Sequence, residues 1–215
     1  MQRLRAAIPI WVLCLAVCLV TVTASFLYVD VPIAIYFSQF SGDLSHRGLG
    51  NAVILAGEAI VVTILVLLRL IRGKLPPLAE TTALACLTSI CAFSIDSNVF
   101  KLFFGVPTPG EVLHGTNHAF NFWKGSVNSG FPSGHMVLAT GFAGVFMRLY
   151  RRSIWPLAIL SVFGAALLIA GGWHFPSDVI AGAFVGLSAG LLAGELWDVH
   201  SGRAIGAPIN RTMPD

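Results

Sequence analysis

The chain has 215 residues, 56% of them hydrophobic and 11% charged, with a mean hydropathy of +0.81. A soluble domain carries roughly 25% charged residues, so this composition cannot cover a water-facing surface and the solvent must be largely lipid. The net charge of +3 is small and is read by position along the chain rather than as a nucleic-acid signal.

Spanning a bilayer takes about 20 mostly apolar residues. Apolar runs of that length predict helices at 7–28, 50–71, 78–104, 132–150, 154–173 and 176–197. The expected fold is therefore all-α: a bundle of six transmembrane helices forming a single membrane-embedded domain over 1–215. Arg3, Arg5 and the apolar run from Ala7 to Tyr28 resemble a secretory leader, but the run exceeds the usual apolar core of about 7–15 residues. It is read as an uncleaved first helix. Cys14, Cys18, Cys86 and Cys91 lie inside apolar runs, act as small apolar side chains and form no disulfide or metal-binding spacing.

Two connections are long. In 29–48, Ile33, Tyr36, Phe37 and Phe40 repeat at helical spacing, which suits a short helix lying on the membrane surface. The other, 105–131, is rich in Gly, Pro and Asn, and its Phe120, Phe122 and Trp123 are expected to anchor it at headgroup level. The last helix carries Gly182, Gly186, Gly190 and Gly194 on one face, a pattern for close helix packing, although a dimer seam would use the same face.

Six helices divide the cations unevenly. With a cytoplasmic N-terminus, the inner side holds Arg3, Arg5, Arg69, Arg72, Lys74, Arg148, Arg151, Arg152, Arg203 and Arg211. The outer side holds Arg47, Lys101 and Lys124. That bias predicts both termini in the cytoplasm.

This topology brings the unusual polar residues to one face. Lys101 ends the third helix, Ser133, Gly134 and His135 open the fourth, His174 closes the fifth, and Asp178 lies in the first turn of the sixth. His46, His114 and His118 read as interface residues. Pro132 suits a first helical position, after which Ser133, Gly134 and His135 would offer N–H groups to an anion. Gly134 would let an oxyanion approach the backbone closely. Asp178, four residues after His174, can bond one imidazole nitrogen and leave the other free to attack or carry a proton. Two histidines suit a double displacement at phosphorus, one attacking while the other protonates the leaving alkoxide. Two acids sit inside apolar runs: Glu58, whose facing is open, and Asp96, read as a partner for Lys101 or a helix–helix hydrogen bond.

These residues resemble the signature of the type 2 phosphatidic acid phosphatase superfamily. Its first element is Lys, six residues, then Arg-Pro; here Lys101 and Pro109 are kept and Thr108 stands where Arg would be. Pro132-Ser133-Gly134-His135 keeps the second element whole. In the third, His174 and Asp178 are kept, but Leu167 and Leu168 replace Ser-Arg. The resemblance implies a phosphohistidine on His174 oriented by Asp178, with His135 as general acid. It also implies that Lys101, Ser133 and Gly134 hold the phosphoryl oxygens. Thr108 and Lys124 are further candidates for that binding. No metal or other cofactor is implied.

The substrate is expected to be a lipid phosphate, phospholipid or polyprenyl-linked, in contact with the lipid bilayer, with no nucleic acid and no assignable oligomer. The expected location is the bacterial inner membrane, with the site on its outer, periplasmic face. The missing arginines leave open a phosphodiester substrate or a catalytically weak lipid-phosphate-binding relative. A lipid-carrier transporter fits less well, because its polar residues would lie near the midplane in repeated halves. The lipid-like composition excludes a soluble haloperoxidase.

Overall fold

The computed structural model describes residues 2–40 and 47–201, without the side chains of 2–6 and 47–49. Among the described residues it is all helix and turn. The elements are α1 Gln2–Tyr28, α2 Asp30–Ser38, α3 Arg47–Arg72, α4 Pro77–Ile95, a π turn Asp96–Phe100 and α5 Lys101–Phe104. After them come α6 Pro109–Leu113, α7 Gly134–Leu149, a 3-10 turn Arg151–Ser153, α8 Ile154–Ala170 and α9 Pro176–Ser201. Arg203, Arg211 and His46 lie outside the described residues, as do the side chains of Arg3, Arg5 and Arg47.

Five stretches are long and apolar enough to cross a membrane: Ala7–Tyr28, Gly50–Arg72, Pro77–Leu113, Arg151–Ala170 and Pro176–Ser201. The helix expected at 132–150 is shorter. With 16 residues α7 rises roughly 24 Å, against about 30 Å of hydrocarbon. Its start is set by Ser133, which caps the helix from extended backbone and accepts the Met136 N–H at 3.4 Å. Pro132 therefore precedes the helix rather than opening it.

The pairing of α7 with α9 forms the centre, flanked by α4 against α7 and α1 against α9. α7 is buried along nearly its whole length. The glycine face of α9 makes this possible: a side chain at Gly182 would meet Ser133, one at Gly186 Thr140 and Val137, one at Gly190 Gly141, and one at Gly194 Arg148. The stripe is an internal seam. By contrast, α3 and α8 bury none of their spanning windows and turn apolar side chains outward, as helices in lipid do.

Aromatic residues close one end of the bundle. Phe120 packs with Phe26, Phe104 and Phe131 and belongs to the core rather than to the surface. Trp123, 80% exposed, and Phe122 remain at the surface. The helix expected within 29–48 is α2, with Tyr36 and Phe40 exposed and Asp30 and Ala34 buried.

Candidate active site

Three chain segments meet at the starts of α7 and α9. The Ser133 N–H donates to the Asp178 carbonyl at 3.0 Å, which locks the two helix starts together. This N–H is therefore committed, not free for an anion as the helix-start reading expected. Beyond α8 the chain turns at Gly172, whose φ of +64° is the left-handed conformation that glycine adopts without strain. His174 follows this turn, outside the helix expected to run to 173.

The histidines are in contact. His135 Nδ1 lies 3.3 Å from His174 Nε2, with ring centroids 5.5 Å apart and the planes at 70°. On the far side of the His174 ring, Nδ1 lies 3.5 Å from Asp178 Oδ2. The same carboxylate oxygen accepts the Phe175 N–H at 2.9 Å. An unbroken chain, Asp178–His174–His135, thus runs through a region where all three side chains are buried.

Lys101 reaches the same region by way of the π turn. In an α-helix, residues five apart lie on different faces, but a π turn closes bonds between residues i and i+5 and so aligns them. Asp96 and Lys101 are thereby both buried, and Asp96 and Asp178 both lie within electrostatic reach of the Lys101 ammonium. Lys101 Nζ donates to the Ser129 carbonyl at 2.8 Å. Asp96 is thus an electrostatic partner of Lys101, one of its two expected roles, and among the described residues the alternative helix–helix hydrogen bond is not made. Neither of its oxygens has a hydrogen bond among those residues, nor has Asp178 Oδ1.

The structure gathers Lys101, Ser133, His135, His174 and Asp178, and it places the other candidates differently. Thr108 caps α6, its hydroxyl donating to Glu111 Oε2 at 2.8 Å. Its Cα flanks Gly130, as does Asp178 Oδ2, so position 108 borders the site by its backbone. Lys124 is exposed on the loop. At Gly134 the space that a side chain would take is filled by Phe93 and Asn51, so the missing Cβ serves packing rather than an approaching oxyanion. Glu58 turns to Ser89, whose hydroxyl is 2.9 and 3.0 Å from its two oxygens and 3.0 Å from the Leu138 carbonyl. It ties α3 to α4 away from the histidines.

Sequence reasoning missed two neighbours. Gly50, in the first turn of α3, packs on the outer edge of His135, where a Cβ would stand 2.6 Å from Nε2. Asp30 is fully buried and bonds to Ser177, next to Asp178. An acid between two apolar stretches was the available signal.

Apolar helices that fit a membrane protein, enclosing a buried His–His–Asp chain at two helix starts, define the class. The model of the PAP2 superfamily matches residues 82–200, more than half of the chain, and the chain belongs to that superfamily. Phosphatase-type chemistry on phosphate esters is the general activity of this family. The matched segment contains the five gathered residues, whereas α1, α2 and α3 precede it. Comparison with curated proteins and with solved structures gives no match.

Proposed function

We propose that the protein is a membrane enzyme that acts on a lipid-linked phosphate by double displacement through a phosphohistidine. The observation that carries this reading is the 3.3 Å contact between His135 and His174, with Asp178 on the opposite ring nitrogen. Asp178 holds a proton on His174 Nδ1, which leaves the Nε2 lone pair for phosphorus. As the Nε2–P bond forms, the P–O bond to the leaving group breaks, and His135 gives its Nδ1 proton to the departing alkoxide. Water or a second alcohol then attacks phosphorus, His135 takes its proton, and the N–P bond breaks. Lys101 and the N–H groups of Gly134 and His135 would steady the phosphoryl oxygens.

In-line attack places phosphorus and the leaving oxygen between the two histidines, so the rings must part when substrate enters. Gly50 backs His135 on the other edge, so that parting involves the first turn of α3.

Charge supports a phosphodiester, and with it hydrolysis or headgroup transfer. Apart from the His135 proton that leaves with the alkoxide, the buried group pairs one ammonium, Lys101, with two carboxylates, Asp96 and Asp178. A phosphomonoester brings about two negative charges at neutral pH and calls for several fixed cations, whereas a diester brings one. The same reading takes 1–215 as one domain crossing the bacterial inner membrane six times, α7 included. Both termini would be cytoplasmic and the site periplasmic. It is supported by Arg69, Arg72 and Lys74 around the end of α3 and Arg148, Arg151 and Arg152 around the end of α7, away from the histidines.

Purified protein in nanodiscs, given dioleoyl phosphatidic acid, dioleoyl phosphatidylcholine or a polyprenyl pyrophosphate, decides between these substrates by release of phosphate or headgroup. Diester turnover is the expected outcome. Phosphate release from phosphatidic acid alone overturns the diester assignment, and binding without any turnover leaves a lipid-phosphate-binding protein.

A further inference from the structure

Asp30 precedes the family-matched residues 82–200, yet it is fully buried beside them. A buried carboxylate is costly unless its oxygens are satisfied, so its partners indicate what it is held for. Oδ1 accepts from the Ser25 hydroxyl at 2.8 Å and from the Ser177 N–H at 3.0 Å. Oδ2 accepts from the Ser177 hydroxyl and lies 3.5 Å from His118 Nε2. One side chain thus joins the end of α1, the start of α2, the loop before α7 and the first turn of α9.

Part of this arrangement is ordinary capping. The first N–H groups of a helix have no partner within it, and a carboxylate suits the positive end. Location makes it more than a cap. Only Phe175, Pro176 and Ser177 separate His174 from Asp178. Asp30 grips Ser177 by both its backbone and its hydroxyl. Its neighbour His118 lies against the Phe175 ring, centroids 4.4 Å apart, and stacks on Phe26 at 4.1 Å. Phe175 in turn gives its N–H to the oxygen of Asp178 that faces His174. The corner that sets the His174–Asp178 distance is therefore held by Asp30 on one side and His118 on the other. Burial lowers the His118 imidazole from its ordinary value, while the Asp30 and Asp178 carboxylates act in the opposite sense.

We propose that Asp30 is a positioning residue for the nucleophilic histidine, supplied from outside the family-matched region and acting with His118 through Ser177 and Phe175. The inference rests on His174 being the group phosphorylated in turnover. A displacement of about 1 Å at a reacting group costs on the order of 10²-fold in rate.

The test compares the full-length protein with Asp30→Asn and Ser177→Ala in nanodiscs, using two readouts. Transfer of label from ³²P-dioleoyl phosphatidic acid and ³²P-dioleoyl phosphatidylcholine measures phosphoenzyme formation. Histidine-selective ¹⁵N NMR measures the tautomer of His174 without any substrate. Asp30→Asn keeps one acceptor oxygen and the side-chain shape. It is expected to slow labelling about 10²-fold at an unchanged half-saturating lipid concentration, and to give His174 a mixture of both tautomers. Ser177→Ala keeps the N–H bond to Asp30 and should lose less. An Asp30→Asn protein with the normal melting profile, labelling rate and His174 tautomer overturns the proposal. So does one in which only the folded fraction falls while the remainder labels normally. Absence of any phosphoenzyme on the unaltered protein would end the functional reading, and the His174 tautomer would then decide the positioning role by itself.

Discussion

The two ends of the α7–α9 pair carry charge in opposite ways. At the start of both helices, Lys101, Asp96 and Asp178 are buried, and the Lys101 ammonium bonds the Ser129 carbonyl rather than a carboxylate. At the other end, Arg148 reaches from α7 to two carboxylates of α9, Glu195 and Asp198, the latter at 3.0 Å, with all three side chains 9–26% exposed. The same glycine seam joins both ends. At the far end the guanidinium contacts both carboxylates directly and holds the helices together. At the site end the ammonium and the carboxylates are buried without direct contact between them, which costs stability and leaves groups ready for a ligand. The two ends should therefore respond differently to mutation, one in rate and the other in stability.

The largest effect belongs to the site end. His174→Ala should abolish phosphoenzyme and lower turnover by at least about 10³-fold, with a melting temperature that is unchanged or higher. Acid-labile phosphoenzyme at a normal level on that protein would remove His174 from its role. Gly50→Ala comes next. Its Cβ would press on His135 Nε2, while the opposite edge of the ring already touches His174, so the pair shifts or jams. A loss of about 10²-fold in rate with little change in stability is expected. Equal turnover by the variant would show that α3 does not back the site.

What could be read in advance follows from how local each signal is. Pro132–His135 and His174–Asp178 are short motifs at helix ends, and alignment of those ends brings them together without any detail of packing. Asp30 carried a mark, as an acid between apolar stretches, but its partner could not be read, because the bond to Ser177 spans 147 positions and no periodicity links two such residues. The pairing of Asp96 with Lys101 was legible as two charges in one apolar run, but its geometry hangs on a π turn, which has no compositional mark. Gly134 was legible as special but not for its reason, since space for an oxyanion and space for Phe93 look alike in one letter. The length of α7 depended on whether Pro132 or Ser133 sets the start, a question settled by the hydroxyl cap.

The seam between the two ends offers an intermediate case. Gly186→Val would drive a side chain into the Val137 carbonyl, 2.6 Å from an added Cβ, and the Gly141 N–H at 2.8 Å. Backbone cannot swing aside, so a cost of roughly 1–3 kcal/mol in stability is expected, seen as a lower melting temperature in detergent. Activity per folded molecule should fall as well, because the helix starts are joined rigidly through Ser133 and Asp178.

The smallest effect is expected at Arg148. Arg148→Met keeps the side-chain length that covers Gly194 but removes the charge that pairs with Glu195 and Asp198. The two carboxylates are then left near each other, half-shielded from water. Exposed ion pairs are worth about 0–1 kcal/mol, and breaking buried ones costs about 3–5 kcal/mol. This cluster lies between, so a loss of about 1–2 kcal/mol is expected, larger at low salt because screening relieves the repulsion. Turnover per folded molecule should not change, since the pair sits at the end of the seam remote from the histidines. A melting temperature equal to that of the unaltered protein would remove the structural role. A fall in turnover at full folding would show instead that the two ends are coupled through the helices.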